Sequence, residues 1–430
     1  VTVEPVAAVL SQMTGKPVKV EYNRKESILS TRVRHASVNY VKTGFMKDGT
    51  LKAVDFKVYT NTGAYASSAL NVSGAMSHKV FKAYKIDHMR FQCQPVYTNT
   101  EIAGAMRGYG SPQVYFGWQR QMQKIADFLH MDMADLQMKN MVDPDSCDPI
   151  FHKPHGNSRP KDCLKRALEL IDYEACLKEQ EATRNQDIRI GVGLALGVHG
   201  NNCVGAHRDV STPMLKMNED GSCIYYTGSH DMGTDTLGMQ MQIVSEVLGI
   251  SMDRIECIQA DTDATMYDLG NYSSRGTYVS CNAAVKAAGK IRQELLKEAA
   301  QLLEEEQQNL ELKDNGVCVR NNPEKKASLE EVITHARKVN QRDICCADTF
   351  ASYALAMSYG AHFVKVSVDT RTGGGKVLEY TAVHDVGKAL NPMSVEGQIE
   401  GAVQMGLGYA LSEGIIIDSG GKVKNTTFKQ

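Results

Sequence analysis

The chain has 430 residues, 48 Lys plus Arg against 50 Asp plus Glu for a formal charge of −2, and hydrophobic and charged shares of 42% and 23%. These proportions exclude a disordered, collagen-like or polybasic nucleic-acid-binding chain, and no apolar run approaches the roughly 18 residues of a membrane span. The eleven cysteines include no C-x-x-C pair, which argues against a zinc ribbon or a cysteine-held iron–sulfur cluster and for reduced thiols in a cytoplasm. No basic segment precedes the apolar opening, so a non-exported chain is expected.

In chain order, residues 5–14 read as a helix with Gly15 as its stop. Residues 41–60 alternate in period 2 on both sides of Lys47-Asp48-Gly49, a hairpin signal that recurs at 214–227 around Asp220-Gly221 and at 363–383 around Gly373-Gly374-Gly375. Each hairpin runs on into a glycine-containing loop. Residues 113–129 and 132–140 read as paired helices, 143–159 as a polar connection, and 161–186 as a helical link. Residues 237–248 form an amphipathic helix closed by Gly249, followed by a strand at 254–259, a long helix at 283–309 and a small-residue-rich helix at 393–412. Hairpins mixed with helices, without regular β-α-β alternation, predict an α+β fold in preference to a doubly wound one. It comprises two related subdomains, 1–145 and 188–430, joined by a linker and helix over 146–187.

The common enzyme signatures are missing: there is no phosphate-loop G-x-x-x-x-G-K-[ST], no H-E-x-x-H and no G-x-S-x-G. Gly191 to Gly197 has the spacing G-x-G-x-x-x-G within an apolar run, which reads as a small-residue strand rather than a dinucleotide loop. What remains is a set of polar, glycine-rich loops. Residues 104–113 (GAMRGYGSPQ) set an arginine and a tyrosine between glycines ahead of a helix, and serve equally as a ligand loop or a tight strand-to-helix turn. Residues 270–276 (GNYSSRG) repeat that chemistry, with helix capping by serine as the plainer reading. The pairs His230-Asp231 and His384-Asp385 are sequence neighbours that would face opposite ways on a strand, so structural roles are expected for them. The polar stretch 201–208 either borders a pocket or covers an edge.

Together these loops resemble the molybdopterin-binding domain of the xanthine dehydrogenase and aldehyde oxidase family of molybdenum hydroxylases. Residues 105–113 (AMRGYGSPQ) are similar to that family's A-F-R-G-F-G-x-P-Q signature, and residues 3–19 to the helix after its first glycine-rich loop. Residues 261–284 are similar to its nucleotide-side loop, and Asp385-Val386-Gly387, Asn391-Pro392, 398–401 (QIEG) and 404–408 (QMGLG) to a late pattern. The resemblance implies that Met106, Arg107 and Gly108 touch the molybdenum–dithiolene region and that Tyr109 stacks on a flat substrate. It implies that Met232, Gly233, Thr234 and Asp235 occupy the pterin loop, that Ser273, Ser274 and Arg275 meet the nucleotide end of the cofactor, and that Gln398 is a further pterin contact. Molybdenum would be held by the pterin dithiolene and not directly by protein.

Thr234 and Asp235 replace the family's Gln and Gly, and an acid beside a phosphate-bearing ligand calls for a compensating donor. Residues 103–109 lack the cysteine of the carbon monoxide dehydrogenase branch, and residues 73–79 lack the arginine that grips a purine. The resemblance puts the first glycine-rich loop before Val1 and the general-base glutamate beyond Gln430, so no catalytic residue is expected within the chain. It implies a bacterial-type, possibly split, hydroxylase subunit that oxidises an N-heterocycle or aldehyde with water as oxygen source. The implied cofactor is molybdopterin, as its cytosine dinucleotide. The implied partners are an iron–sulfur (2Fe-2S) subunit, an FAD subunit and a second molybdopterin-binding subunit, with a small aromatic molecule as substrate and neither nucleic acid nor membrane. A non-catalytic scaffold subunit and an aromatic-thioester reductase subunit are the alternatives.

Overall fold

Gly49, at φ +85°, makes the reversal that the Asp-Gly pair predicts, and strands Ser37–Phe45 and Leu51–Gly63 pair antiparallel on either side of it. The helix Ala69–Lys79 then carries the chain to a third strand, His88–Tyr97, which pairs parallel to Leu51–Gly63. The computed structural model describes residues 2–144, 146–148, 150, 152–203 and 208–427.

The fold divides into two units. The first takes in residues 1–199, 358–386 and 401–430, and the second residues 200–357 and 387–400. This differs from the division expected at 146–187, because long-range strand pairing overrides chain order. The strand Ile188–Gly200 joins one sheet with the hairpin Met357–Asp369 and Gly375–Asp385, which draws the late hairpin back to the first unit. The run from Gly191 to Gly197 lies within that first strand, as its composition suggested. The helices Pro160–Leu170 and Tyr173–Ala182 close over this sheet, burying Cys163, Leu164, Ala167 and Cys176 with Leu196, Ala361 and Phe363. Elsewhere in the unit the helix Ser111–Leu129 buries Val114, Trp118, Met122 and Ile125 on one face, the i, i+4 and i+3 spacing of a core-facing stripe.

In the second unit the hairpin Met214–Met217 and Cys223–Thr227 is extended by the parallel strand Ile255–Gln259 and by Cys345–Ala347. Its core forms around the helix Cys281–Leu303, whose Ala284, Ala287, Ala288, Ile291 and Leu295 are all fully buried. That helix is shorter than the propensity of 283–309 predicts. Glu304 turns left-handed at φ +51°, and the chain enters a three-stranded sheet over Leu310–Lys313, Gly316–Val319 and Asn322–Ser328. The last long helix, Pro392–Leu411, is shared, with 392–400 belonging to the second unit and 401–411 to the first. Among the described residues no helix is long and apolar enough to cross a membrane.

Candidate functional site

In the first unit the segment 103–110 leaves a parallel bridge between Val33 and Ala103 and enters the helix Ser111–Leu129. Met106 and Arg107 are exposed, and Tyr109 holds φ +39°, a left-handed conformation uncommon for a bulky residue. Arg34 supports this loop: its Nη2 donates to the Arg107 carbonyl at 2.5 Å and its Nε to the Tyr409 hydroxyl at 3.0 Å. The Tyr409 hydroxyl in turn donates to Met106 Sδ at 3.1 Å. Sequence reading singled out neither Arg34 nor Tyr409. The one available signal for Tyr409 was that it directly follows the Gln-Met-Gly-Leu-Gly pattern. Next to the loop, His35 (both ring nitrogens), Ser111 Oγ and Gln113 Oε1 are buried without a hydrogen-bond partner among the described residues. Burial, then the charge of Arg34, lowers the His35 pKa, so its imidazole is neutral near pH 7.

In the second unit the structure brings the expected pterin loop, the 270–275 loop and Gln398 together. Gln398 Nε2 donates to the Gly233 carbonyl at 3.0 Å. Asp235, at φ +56° ahead of the helix Thr236–Leu248, accepts from Ser394 Oγ at 2.7 Å and Asn391 Nδ2 at 3.3 Å. Asn271 ties the loops to each other, its Nδ2 donating to the His230 carbonyl and its Oδ1 accepting from Ser229 Oγ at 2.7 Å. Beneath them Gln240 is fully buried and accepts from Tyr225 Oη at 2.6 Å while donating to the Thr236 carbonyl at 3.2 Å. Only glycine fits at 228, where a Cβ would lie 2.5 Å from the Met266 carbonyl oxygen and 2.7 Å from Asp268 Cβ.

Ser273 and Ser274 both have positive φ, +60° and +53°, and Ser274 is exposed. They do not cap a helix; the chain passes through a π turn at Gly276–Ser280 before the helix Cys281–Leu303. Arg275, expected at the nucleotide end of the cofactor, is wholly buried, and its guanidinium donates to Asp209, Asp268, Gly270 O and Val210 O. Of the polar stretch 201–208, residues 204–207 lie outside the described residues. Among the described residues no group of three or more His, Cys, Asp or Glu side chains is arranged to hold a metal.

A molybdopterin cofactor-binding domain model matches residues 1–141, and a second model of the same description matches residues 166–430. The chain belongs to the molybdopterin-binding family of the xanthine dehydrogenase type. It is 32% identical to the xanthine dehydrogenase molybdenum-binding subunit of Escherichia coli O157:H7, over 98% of this chain and 57% of that one. Its fold matches quinoline 2-oxidoreductase from Pseudomonas putida 86 at a TM-score of 0.88 and 22% identity, over 99% of this chain and 56% of the other. It likewise matches CO dehydrogenase from Oligotropha carboxidovorans at 0.87 and 24%, with coverage of 99% and 56%. The chain therefore spans little more than half the length of these relatives.

The residues around Gly233 are compatible with a flat ring system that has polar edges. A Cβ on Gly233, at φ +89°, would meet no heavy atom within 4 Å, so the Met232–Asp235 loop offers open space to a flat ring system. The donor set near it is one of amides and hydroxyls, suited to the many polar edges of a pterin.

Proposed function

We propose that this chain is the molybdopterin-binding portion of a multi-subunit molybdenum hydroxylase that oxidises an N-heterocycle or an aldehyde with water as oxygen source. The observation that carries this reading is the convergence, within the second unit, of the Met232–Asp235 loop, the 270–275 loop and Gln398 through Asn271, Asn391 and Ser394. When bound, the cofactor would supply the two-electron oxidation and the oxygen transfer. The chain's own task is to bind and orient it. Met232, Gly233, Thr234 and Asp235 border the pterin with Gln398, and the exposed turn Ser273–Ser274 receives the anionic end. In the first unit Met106, Arg107 and Gly108 approach the metal–dithiolene end, and Tyr109 offers a ring to a flat substrate.

The cytosine dinucleotide form of the cofactor, an iron–sulfur (2Fe-2S) partner and an FAD partner belong to the same reading; that the E. coli relative is a molybdenum-binding subunit supports the existence of partners. So does a cytoplasmic site, since all eleven cysteines are free thiols. The test is metal and pterin analysis of the protein isolated with its partners, by plasma mass spectrometry and oxidised-pterin fluorescence. Molybdenum and pterin near one per chain are expected, with loss of both in Arg107→Ala. A well-folded complex with neither would overturn the reading in favour of a scaffold.

A further inference from the structure

Three charged side chains lie wholly inside the second unit. Arg275 Nε donates to Asp209 Oδ1 at 2.6 Å, Nη1 to Asp268 Oδ1 and the Gly270 carbonyl at 2.8 Å each, and Nη2 to the Val210 carbonyl at 2.6 Å. The acids are satisfied on their other sides. Asp209 Oδ2 accepts from the Cys203 N–H at 2.8 Å, Asp268 Oδ2 from Ser211 Oγ at 2.5 Å, and Asp268 Oδ1 also from the Gly270 N–H at 2.8 Å. Side-chain exposures of 0%, 0% and 1% for Arg275, Asp209 and Asp268 leave no path for the guanidinium to meet a bound anion directly.

Burying two acids against one base is a poor way to gain stability, because desolvation of the charges offsets their attraction and an apolar cluster would hold the fold as well. What the arrangement does give is geometry. It pins segments 202–203, 209–211 and 268–270 around a turn whose two serines both sit in left-handed conformations, which persist only where the surroundings over-determine them. Ser273 Oγ completes the frame by donating to the Asn202 carbonyl at 3.1 Å. The left-handed pair followed by right-handed Arg275 turns successive N–H groups to one side, an arrangement that receives anions.

We propose that Asp209 and Asp268, acting through Arg275, are positioning residues that hold the Ser273–Ser274 turn in the shape that receives the phosphate-bearing end of the cofactor. The inference rests on the molybdopterin reading above. It assigns recognition of the anion to the Ser274 hydroxyl and the N–H groups of the turn, with the buried ion cluster as their template.

The test compares Asp209→Asn, Asp268→Asn and the milder Ser211→Ala with Glu298→Gln, which disturbs a separate buried ion cluster of the same unit. Each variant is made in the full-length subunit and isolated with its partners. Molybdenum and pterin per chain are read after dialysis, and the thermal midpoint is read on cofactor-free protein. The Asp variants are expected to retain at least tenfold less molybdenum than the unsubstituted protein, and Ser211→Ala about threefold less, while Glu298→Gln with an equal loss in midpoint keeps its cofactor. Retention that simply follows the midpoint in all four, or full retention in the Asp variants, overturns the proposal. Should an Asp variant fail to fold, Ser211→Ala decides by the same criterion. Unsubstituted protein without molybdenum would overturn the molybdopterin reading itself, an outcome distinct from either of these.

Discussion

Ser394 donates its hydroxyl proton to Asp235 Oδ2 across 2.7 Å, joining the start of the last helix to the loop before the helix Thr236–Leu248. The carboxylate is engaged by Ser394 and, more weakly, by Asn391 at 3.3 Å. Ser394→Ala leaves only the longer bond. A charged hydrogen bond of this kind contributes about 1.5 kcal/mol, so cofactor retention should fall about tenfold, with Ser394→Thr near the unsubstituted level. Molybdenum per chain after dialysis measures both, and equal retention in all three would separate Asp235 from the cofactor site.

Arg34 should matter to the first unit in a comparable way. It bridges the Arg107 carbonyl and the Tyr409 hydroxyl, so Arg34→Ala removes both of these bonds from the loop and leaves the Tyr409 hydroxyl held only at Met106 Sδ among its described partners. Arg34→Lys keeps the charge but loses the fork that reaches two acceptors at once. The expected order of substrate turnover per bound molybdenum is unsubstituted protein, then Lys, then Ala, with Ala at least tenfold down and Tyr409→Phe near Lys. Steady-state rates normalised to metal content check this, and an Ala variant equal to Lys would show that the bridge is not used.

The three hairpins were legible because Asp48-Gly49, Asp220-Gly221 and the Gly373–Gly375 run name their turns locally, and the helices at 5–14 and 237–248 because Gly15 and Gly249 end them at φ +64°. The candidate loops were legible as loops, since Arg107 and Ser273–Arg275 lie between glycines. What escaped was everything that depends on distant partners. Arg34 and Tyr409 stand 375 residues apart, and nothing local to either marks the other. The burial of Arg275 is written in Asp209, 66 residues away, so a residue that reads as a ligand's cation turns out to be an internal brace. The sheet spanning residues 310–328 escaped for another reason: Glu304, Glu305 and Glu306 carry helical propensity through the point where the left-handed backbone at Glu304 ends the helix.

Glu298 should set an acid limit on the second unit. The carboxylate is buried and accepts from Arg342 Nε at 2.9 Å, Asn340 Nδ2 at 2.6 Å and His335 Nδ1 at 3.0 Å. Burial works to raise its pKa, but the hydrogen bonds from Arg342, Asn340 and His335 outweigh it and hold the group below the ordinary glutamate value of 4.5. A carboxyl depressed on folding contributes stability that is present above its unfolded pKa and is lost as pH falls through the folded one. Glu298→Ala should cost about 1.5 kcal/mol at pH 7, because Arg342, Asn340 and His335 lose a buried charged acceptor while Arg342 keeps Glu294. Urea unfolding at pH 7 and pH 3.5 should show the gap narrowing at the lower pH; a constant gap would mean that the charge on Glu298 does not carry the effect.

The first unit should lose stability in a different pH window, set by a pair of histidines on its late hairpin. The His362 and His384 rings meet edge to face at 4.9 Å, and His362 Nδ1 lies 2.9 Å from the Tyr380 hydroxyl. Burial first, and then the neighbouring His384, pushes the His362 pKa down to about 4, and burial lowers His384 as well. Both rings are therefore neutral in the folded protein at pH 7, where the unfolded chain is largely neutral too, and the shift has little effect there. Below the unfolded value of 6.5 the unfolded chain takes up protons that the folded one refuses, so stability declines until the folded pKa is reached. One proton costs about 1.4 kcal/mol per pH unit inside that window, which puts the His362 contribution at about 2 kcal/mol between pH 7 and pH 5. His362→Asn, which carries no titrating group, should lose about that much less than the unsubstituted protein on the same acidification. Unfolding free energies at the two pH values decide it: parallel losses in the two proteins would mean that His362 titrates alike whether folded or unfolded.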